Sequence, residues 1–348
     1  MKAYNLHGIN DLRIEDITEP TCKDGSVIVH IKAAGICGSD IPRIYKTGTY
    51  HYPTVPGHEF SGEVVSVGAD VSAKWKGKKV GIFPLIPCMK CECCRTQKYE
   101  MCTNYDYLGS RSNGGFAEYV EVPEWNLIEL PYSITYEQAA MLEPLAVAVH
   151  AIRQSSVKPS STVAIIGLGT IGMFISMFLK EMGIEDVFCI GNKEFQGTMI
   201  AQNGIDLRCF CNSKTTDVNE WILDKTNNKG VDVFFECVGK NETLIQAIES
   251  TTASGTIQLV GNPISDINIS QKTYWRILRK QLRVQGTWNS SFTHNKNDDW
   301  HYVIDKLQCG VIHPESMITH KLTFDKLENG LSLMREKVED YIKVMISN

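Results

Sequence analysis

The rhythm of hydrophobic and polar positions changes once along this chain, and the change divides it. In the first third, apolar positions fall in short β-branched runs such as Val27-Ile28-Val29-His30-Ile31 and Gly62-Glu63-Val64-Val65-Ser66-Val67, each bounded by Gly, Pro or Asp. Gly35, Gly57, Gly62 and Gly68 punctuate this stretch as turns or bulges. The pattern predicts a β-rich, barrel-like domain. From about Val147 strand and helix signals alternate, with strand candidates at 162–167, 187–191, 231–236 and 256–260. Val231–Glu236 and Thr256–Val260 are nearly continuous apolar runs, as parallel strands covered on both faces should be. The fold class is therefore α/β, a doubly wound cofactor domain beside a β-rich one. After about Gly286 the remaining segment is short for an independent domain and is expected to rejoin the first. The expected partition is 1–147 with 287–348, and 148–286.

A length of 348 residues suits two domains, and 43% hydrophobic with 22% charged residues is ordinary for a soluble globular chain. A formal charge of −5 gives no reason to expect nucleic acid or an anionic membrane as partner. Thr162 to Leu179 is 18 residues without a charge, at the edge of a transmembrane length. Three glycines interrupt it, so a strand, a glycine turn and a helix explain it better. The start, Met1-Lys2-Ala3-Tyr4, lacks a signal-peptide pattern. A cytoplasmic location is expected, where the twelve cysteines serve metals rather than disulfides.

Cys88, Cys91, Cys94 and Cys102 form a C-x2-C-x2-C-x7-C cluster on a loop between about Pro87 and Thr103. Four thiolates fill a tetrahedral shell and leave no open position, so this set predicts a structural zinc. Cys93, beside Cys94, is a fifth cysteine in the loop; the spacing favours Cys94 as ligand.

A second ligand group lies upstream. Cys37 offers a thiolate and His58 an imidazole, a mixed set that can leave one position open for water or substrate. The third ligand must come from elsewhere; Glu143 is the best candidate, and Glu59 can alternate with it or stand just outside. Asp40 can orient His58, because zinc-bound histidines usually need a partner for their other nitrogen. Ser39 can place its hydroxyl where a substrate proton leaves. Taken singly, Cys37 reads as a small buried hydrophobe and His58-Glu59 as a turn pair. Within Gly57-His58-Glu59-x2-Gly62-x5-Gly68-x2-Val71 they read as a metal site.

Gly167-Leu168-Gly169-Thr170-Ile171-Gly172 follows one predicted strand and opens a predicted helix, the context that makes this motif a dinucleotide turn. Its glycines let backbone approach a pyrophosphate at a helix N-terminus. In an NAD enzyme the next strand should end in an acid that binds the ribose hydroxyls. Here, 19 positions after Gly172, it ends in Gly191, followed by Asn192 and Lys193. Glycine removes the repulsion of a 2′-phosphate, and Asn192 and Lys193 can donate to it, which favours NADP(H) over NAD(H). Arg43, Lys46 and Arg111 are cations that could contact a phosphate, if the substrate carries one, although surface charge is the usual fate of such residues.

With these motifs the chain resembles the zinc-containing medium-chain dehydrogenase/reductase family over nearly its whole length. The resemblance implies a Rossmann domain, Cys37, His58 and Glu143 on a catalytic zinc, a second zinc in the four-cysteine lobe, and a homo-oligomer, dimer or tetramer. Within the family it is similar to the alditol-phosphate branch. That match is carried by Cys37 to Lys46, Tyr52-Pro53 leading into Gly57–Gly62, Tyr105 to Tyr119, Ile277 to Lys280, and Gly286 to Trp288. Glu143, rather than a cysteine, fits the polyol enzymes. Alcohol dehydrogenases often carry a relay histidine five residues after the cysteine ligand; this chain has Pro42 there. The expectation is a hydride transfer between a sugar-alcohol phosphate, such as galactitol 1-phosphate, and NAD(P). A non-phosphorylated polyol or secondary alcohol is the alternative substrate. A non-catalytic cofactor- or zinc-binding protein is the alternative of another class, which loss of Cys37, His58 or Glu143 would have signalled.

Overall fold

The computed structural model describes residues 1–347. They form two compact units: Met1–Pro144 with the chain from Ser291 onward, and Leu145–Ser290.

The first unit opens with an antiparallel hairpin, β1 (Lys2–Gly8) and β2 (Asp11–Asp16). Its main strands are β3 (Ser26–Ile36), β4 (Glu59–Val67) and β5 (Lys79–Ile82). A short ribbon, β6 (Leu85–Ile86) with β7 (Asp106–Tyr107), flanks the cysteine loop, and β8 (Tyr119–Pro123) and β9 (Leu127–Glu129) follow. β3 organises the sheet. One edge pairs with β4, while the other carries β8 along Ser26–His30. Val27, Val29 and Ile31, every second residue of β3, turn into a core that includes Phe60, Val64, Phe116 and Val120.

The second unit is built from β10 (Val163–Ile166), β11 (Val187–Gly191), β12 (Phe210–Asn212), β13 (Val231–Glu236), β14 (Thr251–Leu259) and β15 (Arg283–Gly286). All pair in parallel in the order β12-β11-β10-β13-β14-β15. This is the dinucleotide-binding order, whose ligand crevice opens where strand order reverses, beside β10. Helices connect the strands: α1 (Leu142–Ser155) leads into β10, then α2 (Thr170–Glu181), α3 (Glu194–Gln202), α4 (Val218–Lys225), α5 (Asn241–Ser250) and α6 (Gln271–Lys280). The uncharged run from Thr162 is β10, a glycine turn and α2, and among the described residues no helix is long and apolar enough to cross a membrane. The edge strands β12 and β15 carry no sequence signal: each is short, and β15 is largely exposed.

The chain then returns to the first unit through α7 (Asp299–Gln308), β16 (Ile318–Leu322), α8 (Leu327–Glu336) and β17 (Lys343–Ser347). β17 pairs antiparallel with β3 along Ala33–Ile36, beyond the reach of β8. It therefore runs beside the end of β3 from which Cys37 emerges.

Candidate active site

Strand pairing assembles the mixed ligand group. Cys37 directly follows β3, Glu59 begins β4, and the antiparallel register sets Gly35 opposite Glu59. The sulfur of Cys37, a ring nitrogen of His58 and a carboxylate oxygen of Glu59 consequently lie within 4.8 Å of one another. Two glycines make this approach possible. Gly57 has φ +92, and a side chain there would meet the Phe116 ring at 2.6 Å. A Cβ on Gly35 would enter the space shared by Glu59 and Lys343.

Asp40 is fully buried and holds three groups. One oxygen accepts the Cys37 backbone N–H (3.0 Å); the other accepts Arg43 Nη1 (2.7 Å) and lies 3.4 Å from His58 Nδ1. With Nδ1 turned to Asp40, Nε2 is the nitrogen left for a metal. Burial opposes a charged His58 ring, but the Asp40 carboxylate and the Cys37 sulfur outweigh it and raise its pKa well above the ordinary value. Ser39 donates its hydroxyl to the Cys37 sulfur at 3.3 Å.

Glu143 enters from the first turn of α1 and is buried. It stands outside the trio that gathers within 4.8 Å, yet His58 and Glu59 both act on its charge. Burial pushes its carboxyl up to about 7, with His58 pulling the other way. Its Oε1 accepts the hydroxyl of Tyr107 at 3.3 Å, and the Tyr107 ring lies 5.8 Å from that of His58. Burial and the neighbouring Glu143 and Cys37 raise the Tyr107 phenol well above its ordinary range. Tyr107 and Lys343 were not singled out by sequence reasoning. Lys343, 284 residues from Glu59 in sequence, pairs with its Oε2 and donates to Ile36 O at 3.1 Å. Only β17 pairing with β3 reveals it.

The four lobe cysteines gather as their spacing predicts, and Cys93 lies outside the group. The Sγ–Sγ separations are 3.5 Å for Cys91–Cys94, 3.9 Å for Cys91–Cys102 and 4.0 Å for Cys88–Cys94. A tetrahedron with Zn–S bonds of about 2.3 Å has edges of about 3.8 Å, so these thiols fit one zinc. All four are free thiols. The backbone N–H groups of Thr103 and Cys94 help pull Cys91 down to about 5.

In the second unit Gly167 (φ +95) turns the chain out of β10, and a side chain there would strike Val238. Gly169 caps α2, which begins with Thr170 and Ile171, and a Cβ on Gly172 would come within 2.2 Å of Gly167 O. Helix and strand thus pack as a dinucleotide turn requires. β11 ends at Gly191 with no acid, and the N–H groups of Asn192 and Lys193 both point at Gln196 Oε1.

The candidate phosphate contacts separate. Arg43 is engaged by Asp40, and Lys46 is exposed. The Arg111 guanidinium lies between the rings of Tyr50 (4.0 Å) and Tyr105 (4.4 Å). Its Nε is buried without a hydrogen-bond partner, and Tyr105 stands 6.2 Å from Tyr107. A line of rings therefore leads from His58 through Tyr107 and Tyr105 to Arg111.

Comparison with known proteins agrees with this architecture. The family model of the alcohol dehydrogenase GroES-like domain matches residues 23–132, and that of the zinc-binding dehydrogenases matches 170–308. The chain belongs to the zinc-type medium-chain dehydrogenase/reductase family and is an oxidoreductase of alcohols or polyols that works with a nicotinamide cofactor. Galactitol 1-phosphate 5-dehydrogenase of Escherichia coli K12 is 31% identical over 92% of both chains. The crystal structure of galactitol-1-phosphate dehydrogenase from E. coli superposes with a TM-score of 0.92, at 29% identity, covering all of both chains. (R,R)-Butanediol dehydrogenase of Bacillus subtilis is 33% identical over 99% of both. A zinc-binding dehydrogenase of Sinorhizobium meliloti, solved bound to NADP, has a TM-score of 0.91 at 27% identity, covering 100% of this chain and 99% of that one.

Proposed function

We propose that this enzyme interconverts a secondary alcohol of an alditol phosphate and the corresponding ketose phosphate, with NADP(H) as hydride carrier. The carrying observation is Arg111, a guanidinium fixed between Tyr50 and Tyr105 with a buried Nε that has no partner. A planar donor fork pre-set in this way suits a phosphate, and aromatic faces on both sides cut the entropy lost on binding it. The similarity to galactitol 1-phosphate 5-dehydrogenase points the same way.

In the oxidative direction the carbinol carbon loses a hydride to the nicotinamide and the hydroxyl loses a proton, giving ketone, NADPH and H⁺. A zinc on Cys37, His58 and a carboxylate would supply a Lewis acid that lets the alcohol ionise near neutral pH. The chain's own residues prepare that position. Asp40 faces the His58 ring at 3.4 Å, Ser39 donates to the Cys37 sulfur, and Lys343 holds one oxygen of Glu59. Glu59 or Glu143 serves as third ligand; the gathering of Cys37, His58 and Glu59 favours Glu59, and Glu143 then takes a proton from substrate or water. The four-cysteine lobe holds a second, structural zinc.

A homo-oligomer is part of the proposal. It is supported by the edge strand β15, whose Val284 is exposed, and by exposed Tyr274, Trp275 and Leu278 on α6. A non-phosphorylated diol is the second reading, favoured by the identity to (R,R)-butanediol dehydrogenase. Steady-state assays of the zinc-loaded enzyme with galactitol 1-phosphate and galactitol, each with NADP and NAD, decide between them. A large kcat/KM advantage for the phosphate ester supports the proposal, and equal turnover of the two substrates overturns it.

A further inference from the structure

The loop after β11 is organised by one side chain, Gln196 in the first turn of α3. Its Oε1 accepts the backbone N–H of Asn192 at 2.8 Å and of Lys193 at 3.2 Å. Its Nε2 donates to Leu168 O at 2.9 Å, inside the Gly167–Gly172 turn. One carboxamide thus ties the pyrophosphate turn to the loop that would face the adenosine ribose. It also occupies the space that a residue at 191 would claim: a Cβ on Gly191 would stand 2.5 Å from Gln196 Oε1 and 3.0 Å from Phe210 Cε2. Gly191 is not in the left-handed backbone region, so nothing in its conformation demands glycine. What excludes a side chain there is Gln196, and behind it Phe210.

We infer that Gln196 is a specificity-determining residue for the nicotinamide cofactor, acting jointly with Gly191: it blocks the seat of a ribose-binding acid and holds the loop in the shape that receives a 2′-phosphate. The inference rests on the NADP(H) reading above. A carboxylate at 191 would grow from a Cβ 2.5 Å from Gln196 Oε1, which brings two acceptors close without a proton between them, and such pairs repel. Displacing Gln196 costs the three hydrogen bonds that fix the loop. A neutral carboxamide, by contrast, leaves the phosphate unopposed. Ser213, whose N–H donates to Gly191 O at 2.8 Å, brings the chain end after β12, and with it Lys214, beside the same loop.

The test is direct binding of NADPH and NADH to the zinc-loaded enzyme, read by nicotinamide fluorescence, with kcat/KM measured in parallel. The proteins are wild type, Gly191→Asp, Gln196→Ala and the double variant. Gly191→Asp should weaken NADPH by about tenfold or more and gain little NADH affinity, whereas the double variant should bind NADH about tenfold better than Gly191→Asp alone. Gln196→Ala alters a half-buried surface position and keeps the proposal testable if Gly191→Asp does not fold. It should weaken NADPH by about fivefold and NADH by clearly less, because the tie to Leu168 O serves both cofactors whereas the loop's 2′-phosphate contact serves NADPH alone. Equal losses for both cofactors in Gln196→Ala, or full NADH gain from Gly191→Asp alone, overturn the role of Gln196 and leave the NADP(H) reading intact. A wild-type preference for NADH overturns that reading itself, and the role with it.

Discussion

Lys343 Nζ and Glu59 Oε2 form an ion pair whose two side chains are 1% and 2% exposed. A charge so placed is tolerable only with its partner, and the partner here belongs to the metal cluster. In the metal-free protein Lys343→Met would leave the Glu59 carboxylate buried and unpaired, a loss of about 3–5 kcal/mol by the usual cost of breaking such pairs. Thermal unfolding should move down accordingly, and zinc content should fall from two towards one per chain. Unchanged stability and zinc content would show that Glu59 does not depend on Lys343.

Tyr107 touches the site through one hydroxyl. Tyr107→Phe removes the hydrogen bond to Glu143 and little else, since the ring keeps its packing. A hydrogen bond to a carboxylate is worth about 1.5–3 kcal/mol, so kcat/KM should fall roughly tenfold or more, with both zinc ions retained. Full activity in this variant would remove Tyr107 from the positioning of Glu143.

Arg111 makes a sharper distinction, because its contribution depends on what the substrate carries. Arg111→Leu should lower kcat/KM for galactitol 1-phosphate by about 10- to 100-fold and leave galactitol within about threefold. A parallel loss on both substrates would mean that Arg111 holds the loop rather than the phosphate.

The two proposed zinc sites should separate under mutation. Cys94→Ser removes one corner of the four-sulfur lobe, so one zinc per chain should be lost, with a clear drop in thermal stability. Cys93→Ser lies outside the group, and its effect should stay within about 0.5 kcal/mol with both ions present. Metal analysis by atomic emission reads both outcomes.

Much of this was legible in the sequence wherever the physics is local. The four lobe cysteines lie within fifteen residues, so spacing alone brings them together. The dinucleotide turn announces itself between a strand and a helix, and strands buried on both faces, such as β13, show as nearly continuous apolar runs. Edge strands did not show: β12 and β15 bury too little to need such a pattern. Side-chain commitments across the fold were equally silent. The sequence offers Arg43 as a phosphate contact and Glu143 as the best candidate for the third ligand, with Glu59 as its alternate. The fold gives Arg43 to Asp40 and sets Glu59 beside Cys37 and His58. Gln196 reads as an ordinary helix residue until its carboxamide is seen against the backbone of Asn192 and Lys193.

The lateness of Lys343 bears on how the protein is made. Glu59 leaves the ribosome 284 residues before the lysine that will neutralise it. Once β4 and β8 have emerged, one edge of β3 is paired with β4 and the other is filled only along Ser26–His30, so until β17 arrives the carboxylate at the head of β4 must stay hydrated. The second unit can complete its parallel sheet while this happens, because all its strands emerge before β17. The nascent chain thus passes through a stage with a folded nucleotide domain and an unsealed metal domain. In that stage Cys37 and His58 are open to the cell's metal ions, and equally to its oxidants.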